Sequence, residues 1–121
     1  MPNTITVTAC DNELIVLAYQ GGASFELCRI LSGNNQSVNV TLNIQSGPYQ
    51  GTMVLNGVTQ PLNLNLTQNL ASGAYSLLLL GVDWGGPSQF TVGVNGTPYT
   101  LPLTNQGNGL LFNPTPISIT V

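Results

Sequence analysis

The segment Val38-Asn39-Val40-Thr41-Leu42-Asn43-Ile44 alternates an apolar side chain with an asparagine or threonine at every step. Successive side chains of a β-strand point to opposite faces, so this segment predicts a strand with one apolar and one polar face. The same period of two recurs over most of the chain, and no window has apolar residues at helical spacing. The pattern predicts about eight to ten short strands. The candidate segments are Thr4–Ala9, Glu13–Tyr19, Phe25–Leu31, Val38–Ile44, Gly51–Leu55, Leu62–Thr67, Ala74–Leu80, Gln89–Val94, Tyr99–Leu103, Leu110–Phe112 and Ile117–Val121.

Turn signals separate these candidate strands. Asn95-Gly96 and Asn56-Gly57 are the clearest, because both residue types tolerate the positive φ angles of a tight hairpin turn. Short strands joined by such turns are typical of an antiparallel β-sandwich or jelly roll. The length of 121 residues fits one domain, so we predict a single all-β sandwich over residues 1–121.

The most unusual feature of the composition is its lack of charge. Charged residues are 4% of the chain, against about 25% in an average protein. One arginine cannot form the basic surface that contacts phosphates, which argues against nucleic acid as a partner. Hydrophobic residues, at 42%, are too frequent for a disordered chain. The longest apolar runs are much shorter than the roughly 20 residues of a membrane-spanning helix, so we expect no membrane insertion.

The sequence offers little material for catalysis or metal binding. It contains no histidine, so the usual Ser-His-Asp and Cys-His constellations cannot form. A pair of carboxylates, as in glycosidases, remains formally available among four acidic residues. No acidic loop of the calcium-binding type is present, and the two cysteines are far apart in sequence. We therefore predict a protein that is not an enzyme and has no metal or cofactor.

Four of the five charged residues lie between positions 11 and 29. They are Asp11, Glu13, Glu26 and Arg29. One interpretation is a solvated hairpin whose charges pair with each other. The other is an oriented contact in which Arg29 of one copy meets an acid of the next, since complementary charges fix the register of a contact.

Cys10 and Cys28 form a candidate disulfide whose geometry depends on the first strand. If the first three strands form a meander, the two cysteines lie on either side of the second strand, about 9.6 Å apart. A disulfide requires Cα atoms within roughly 6.8 Å. An internal bridge therefore requires that the first strand cross to the opposite layer. The alternatives are thiols in the core or a bridge to another subunit.

The segment Asp83-Trp84-Gly85-Gly86 holds the only tryptophan and is a candidate sugar-binding loop. A carboxylate and amides can bind hydroxyls, while an indole face can stack on the apolar side of a sugar ring. The other interpretation is a tryptophan that fills the core or plugs a loop, followed by ordinary turn chemistry. These residues support carbohydrate as a partner in a lectin-like alternative.

The neutral surface favours assembly with copies of the same chain. Natural sheets protect open edges with charges, above all lysine, and this chain has no lysine. We expect a structural subunit of a filament, appendage, capsid or array, outside or on the surface of a cell, spore or virion, although no signal peptide is visible. Terminal strands would complete a neighbour's sheet. The residues expected at such contacts are Thr4, Ile5, Thr6, Val7, Ile117, Ile119 and Val121.

Overall fold

The structure is a computed structural model and confirms the predicted all-β sandwich. It describes residues 3–10, 13–31, 38–47, 50–60, 70–84, 90–100, 108–112 and 117–121. None of these residues is helical. The candidate strand Leu62–Thr67 lies outside the described residues.

Eleven strands are described, and ten of them match candidates from the alternating pattern. The tenth and shortest of those candidates, Leu110–Phe112, begins two residues earlier in the structure. The strand that the sequence missed is β6, which has only three residues and follows a tight turn. The strands are β1 (Asn3–Ala9), β2 (Glu13–Gln20), β3 (Ala23–Leu31), β4 (Val38–Ile44), β5 (Gln50–Leu55), β6 (Val58–Gln60), β7 (Ala74–Trp84), β8 (Thr91–Val94), β9 (Thr97–Thr100), β10 (Asn108–Phe112) and β11 (Ile117–Thr120).

The strands form two antiparallel sheets. The six-stranded sheet has the order β6-β5-β4-β1-β8-β9. The five-stranded sheet has the order β10-β7-β2-β3, and β11 also pairs with β7. Because β10 pairs with the second half of β7 and β11 with its first half, the two short strands follow one another along that edge.

The core lies between the sheets and is made by every second residue of the strands. On β4, for example, Val40 and Leu42 are fully buried while Asn39 and Asn43 are exposed. Such alternation is what an antiparallel sheet with one wet face requires. The predicted apolar and polar faces of this strand are therefore confirmed.

The first strand occupies a different place from the one that the sequence suggested. β1 is hydrogen-bonded on both sides, to β4 and to β8, so it is not an open edge of the folded chain. Its apolar residues Ile5 and Val7 are fully buried between the sheets, and Thr4 and Thr6 lie on the outer face. Completing a neighbour's sheet with this strand would require removing the centre of its own sheet.

The two hairpins predicted at Asn-Gly pairs are confirmed. Asn56 and Gly57 have φ angles of 51° and 79° and join β5 to β6. Asn95 and Gly96 have φ angles of 51° and 85° and join β8 to β9. Positive φ at both central residues is the signature of the type I′ turn.

A small hydrogen-bond network joins the two layers at one end of the sandwich. The buried Asn3 donates through Nδ2 to the carbonyl oxygen of Thr120 in the opposite sheet, at 2.8 Å. Its Oδ1 accepts from Nδ2 of Asn95 at 2.8 Å. The Oδ1 of Asn95 in turn accepts from the backbone N–H of Thr4. These bonds satisfy a buried amide, which would otherwise cost about 1–3 kcal/mol.

A substitution at Gly51 can test the close contact between β4 and β5. A Cβ at this position would collide with the carbonyl oxygen of Thr41 and lie 2.8 Å from Cδ2 of Leu42. We expect Gly51→Ala to lower the free energy of unfolding by about 1–3 kcal/mol, because backbone cannot move aside as a flexible side chain can. Denaturant unfolding measures the change.

Gly22→Ala is the matched control, because a Cβ there meets nothing within 4 Å. Its free energy of unfolding should stay within about 0.5 kcal/mol of the parent protein. Equal destabilisation by both substitutions would contradict the described packing of β5 on β4.

Candidate functional site

The outer side of the five-stranded sheet is apolar, although it faces away from the core. On β2 and β7 the residues that alternate with the buried ones are partly exposed. Leu17 lies opposite Leu78 in the ladder, and Ile15 lies opposite Leu80. We call this surface the outer apolar face. It consists of Ile15, Leu17, Tyr19, Leu78, Leu80 and Val82.

The outer side of the six-stranded sheet has the opposite character. Thr6, Thr41 and Thr52 form one row across three neighbouring strands. We call this surface the outer hydroxyl face, and Val54 is an apolar residue beside it. Its members are Thr4, Thr6, Asn39, Thr41, Asn43 and Thr52. The outer sides of the two sheets therefore differ in polarity: one is apolar, and the other carries hydroxyl and amide groups.

The described charges gather beside the outer apolar face, where Arg29 bridges two acids. Its Nη2 lies 2.7 Å from Oε1 of Glu26, and its Nη1 lies 3.2 Å from Oε2 of Glu13. In the β2–β3 ladder Arg29 lies directly opposite Ile15. The hydrogen bonds that Arg29 donates to the Glu26 carboxylate raise the pKa of Arg29 above its ordinary value. The structure thus pairs these charges within one chain.

A β-bulge explains how Glu26 and Arg29 meet. Residues three apart on a regular strand point to opposite faces. Here Val16 pairs with Cys28 and Leu17 pairs with Glu26, so Leu27 is an extra residue in β3. The extra residue shifts the alternation by one and puts both charged side chains on the outer face. The clustering of charges in the sequence indicated that they could pair, but the spacing of Glu26 and Arg29 gave no sign of the bulge that brings them together.

The described edges of the sheets carry recognised protection against strand addition. β3 has the bulge and the Arg29 cluster, β6 has three residues, and β9 contains Pro98, which cannot donate a ladder hydrogen bond. β10 and β11 differ, since neither has a bulge and the described ladder of each is with β7 alone; Ser118 and Thr120 of β11 are exposed. Of the candidate contact residues at the C-terminal end, Ile117 and Ile119 are buried in the core and Val121 packs against it.

The candidate sugar-binding residues are only partly described. Asp83 and Trp84 end β7, where their backbones pair with Gly109 and Asn108. Gly85 and Gly86 lie outside the described residues. The structure therefore places the first two residues at the end of a strand.

The two cysteines lie in the same core but in different layers. Cys10 directly follows β1 of the six-stranded sheet, and Cys28 lies on β3 of the five-stranded sheet. Both are buried, and no bond joins them in the structure. The first strand has crossed to the opposite layer, which was the condition for an internal bridge, and the bridge itself stays a prediction.

Among the described residues no group of three or more His, Cys, Asp or Glu side chains could hold a metal ion. The described residues also include no helix whose length and apolar character would let it cross a membrane.

The Arg29 cluster should stabilise the fold mainly through Glu13, whose side chain is 12% exposed, whereas that of Glu26 is 37% exposed. We expect Arg29→Gln to lower the free energy of unfolding by about 1–2 kcal/mol, because it leaves the nearly buried Glu13 carboxylate without its cation. Glu26→Gln keeps the Arg29–Glu13 pair and should cost less than about 1 kcal/mol. Urea unfolding compares the two variants, and a larger loss for Glu26→Gln would contradict this order.

The sugar-binding alternative has its own test, since Trp84 is the only tryptophan. We expect its fluorescence to stay unchanged when common monosaccharides are added at millimolar concentration. A saturable shift that disappears in Asp83→Ala would instead favour the lectin-like function.

What the surfaces do has to be inferred from their own geometry and chemistry. Comparison with protein-family models, with curated proteins and with solved structures finds no match to this chain.

Proposed function

We propose that this chain is a non-enzymatic structural subunit that associates with copies of itself. The assembly would be a filament, appendage, capsid or array outside or on the surface of a cell, spore or virion. The observation that carries the proposal is the outer apolar face, which lies on the solvent side of the two central strands of the five-stranded sheet.

The contrast between the two outer faces supports an association through one of them. An antiparallel sheet of a soluble protein usually has a polar outer side, as the outer hydroxyl face does here. A contiguous apolar patch on an exterior commonly marks a contact with a protein. Leu17 and Leu78 stand opposite each other at its centre, so their side chains would be buried first by a second copy.

The amount of free energy available makes each contact weak. If the outer apolar face offers a few hundred Å², burying it on two copies gains on the order of 10 kcal/mol before costs. Association costs at least about 4 kcal/mol in lost translation and rotation, and further ordering adds to that. Such contacts suit an assembly in which each subunit makes more than one contact.

The charge distribution is compatible with burying this face. Arg29, Glu13 and Glu26 already pair at its border within one chain, so a neighbour need not neutralise an isolated charge. Unpaired charges in an interface would be costly to remove from water. The six residues of the outer apolar face itself are uncharged.

The structure changes which terminal strand the proposal can use. β1 holds the centre of its own sheet, which disfavours its use as a donor strand. The edge of β11 remains a candidate for pairing with another copy, with the exposed Ser118 and Thr120 as its outward residues. The proposed assembly therefore combines stacking of the outer apolar face with pairing along β11.

A charge at the centre of the outer apolar face should prevent association. We expect Leu78→Glu to weaken self-association at least tenfold, because the carboxylate would lose water in the contact. Thr41→Glu is the matched control, since Thr41 is also partly exposed on a central strand but belongs to the outer hydroxyl face. Size-exclusion chromatography with light scattering over a range of concentrations measures the change.

Two results would contradict the proposal. One is an unmodified protein that stays monomeric at high concentration under native conditions. The other is equal weakening by Leu78→Glu and Thr41→Glu in variants whose circular dichroism spectra show an intact fold.

A further inference from the structure

Two thiols reach the same core from opposite layers of the sandwich. Cys10 comes from the end of β1, is 1% exposed and precedes the passage of the chain into the other sheet. Cys28 lies on β3 and is 0% exposed. In a sandwich, a disulfide between cysteines of facing sheets is an established arrangement, as in antibody domains.

Each cysteine is turned inward by a β-bulge. In β1 the ladder to β8 runs from Val7 opposite Val92 to Ala9 opposite Thr91, so Thr8 is the extra residue. Regular alternation from the buried Val7 would point Ala9 inward and the next residue outward. The extra residue reverses this order: Thr8 is exposed, Ala9 is half-buried and Cys10 is buried.

The second bulge does the same for β3. Leu27 is the extra residue there, and it lies between Glu26 on the outer face and Cys28 in the core. In a regular strand, an alternation that buries Leu27 would expose Cys28. Bulges of this kind re-aim side chains and are treated as built features of a sheet. The two bulges lie in different sheets, and each turns a thiol towards the same core.

Burial makes both groups poor nucleophiles once the chain has folded. The pKa of Cys28 rises to about 12, first because of burial and then because of the charges of Glu26 and Cys10. The charge of Cys10 contributes to this rise, in line with the placement of both side chains in one core. Since the thiolate is the reactive form, the folded thiols should exchange slowly.

We propose that Cys10 and Cys28 are a disulfide-forming pair that closes during folding, in exchange with a small-molecule disulfide such as oxidised glutathione, and ties the two sheets together. One cysteine thiolate attacks the small disulfide, which gives a mixed disulfide and releases one reduced glutathione. The second cysteine then attacks the mixed disulfide, which forms the Cys10–Cys28 bond and releases another reduced glutathione. The two cysteine sulfurs are oxidised by two electrons in total, and the glutathione disulfide is reduced by the same two.

The experiment refolds the whole chain from denaturant with oxidised glutathione and, in parallel, with a phosphine reductant. We expect the oxidised product to be a monomeric chain lighter by two hydrogen atoms, with a peptide that links residue 10 to residue 28. Its midpoint of thermal unfolding should be higher by about 10 °C than that of the reduced protein, as a closed loop of this length predicts. Reduced folded protein given the same oxidant should react at least tenfold more slowly than the unfolded chain.

Cys10→Ala and Cys28→Ala are the matched variants, and each leaves one thiol that cannot close the bond. After oxidative refolding we expect each variant to carry a glutathione adduct or a thiol, and to lack the shift in unfolding midpoint. Mass analysis needs no folded variant, so the adduct or thiol on the remaining cysteine can be read even if one substitution destabilises the core.

Three results would overturn the proposal. They are two glutathione adducts on one chain, two unmodified thiols after oxidative refolding, and disulfide-linked dimers on a non-reducing gel. Equal oxidation rates for the folded and unfolded chains would overturn the claim that closure belongs to folding. None of these outcomes depends on self-association, which the variants of the outer apolar face test separately.

Discussion

The pairing of β1 with both β4 and β8 is the interaction on which the rest of the fold depends. β4, β5 and β6 follow one another by hairpins, and so do β8 and β9. β1 is the strand that joins these two groups into one sheet, through ladders such as Val7 opposite Val40 and opposite Val92. β4 and β8 are both far from β1 in sequence. The six-stranded sheet can therefore form only after long stretches of chain have been brought together end to end. The passage of the chain after Cys10 into the other layer follows from this placement.

The near absence of charge shifts stability and specificity onto hydrogen bonds and backbone shape. At one end of the sandwich the Asn3, Asn95 and Thr120 network joins the layers by neutral amides. Next to Thr120, Val121 exchanges two backbone hydrogen bonds with Gly73. Among the described residues, the cluster of Arg29, Glu13 and Glu26 lies where β3 forms an edge, beside a bulge. At the β3 edge, protection is thus achieved with a bulge and a single arginine.

The fold class, most strands and two hairpin turns could be predicted because they depend on local signals. Alternation identifies Val38–Ile44 as a strand, and an Asn-Gly pair identifies a turn, whatever the rest of the chain does. The layer of β1 could not be predicted in the same way, since strand pairing depends on residues that are distant in sequence. The alternation of apolar and polar residues also gives no sign of the bulges at Thr8 and Leu27. These bulges decide which way Cys10, Cys28 and Glu26 point. For the outer apolar face, the runs in β2 and β7 gave a signal, and the ladder showed that they are neighbours.

The geometry also limits what kind of assembly these surfaces can build. If two copies stack through the same outer apolar face, the contact is isologous and closes as a pair with two-fold symmetry. A filament or array needs a second, different contact that leads from one pair to the next. Among the described edge strands of more than three residues, β10 and β11, which share one side of β7, have no bulge and no proline, and the exposed Ser118 and Thr120 of β11 carry no charge. Stacking and edge pairing therefore have separate roles in the proposed assembly: the face makes the pair, and the β11 edge decides whether pairs extend into a larger structure.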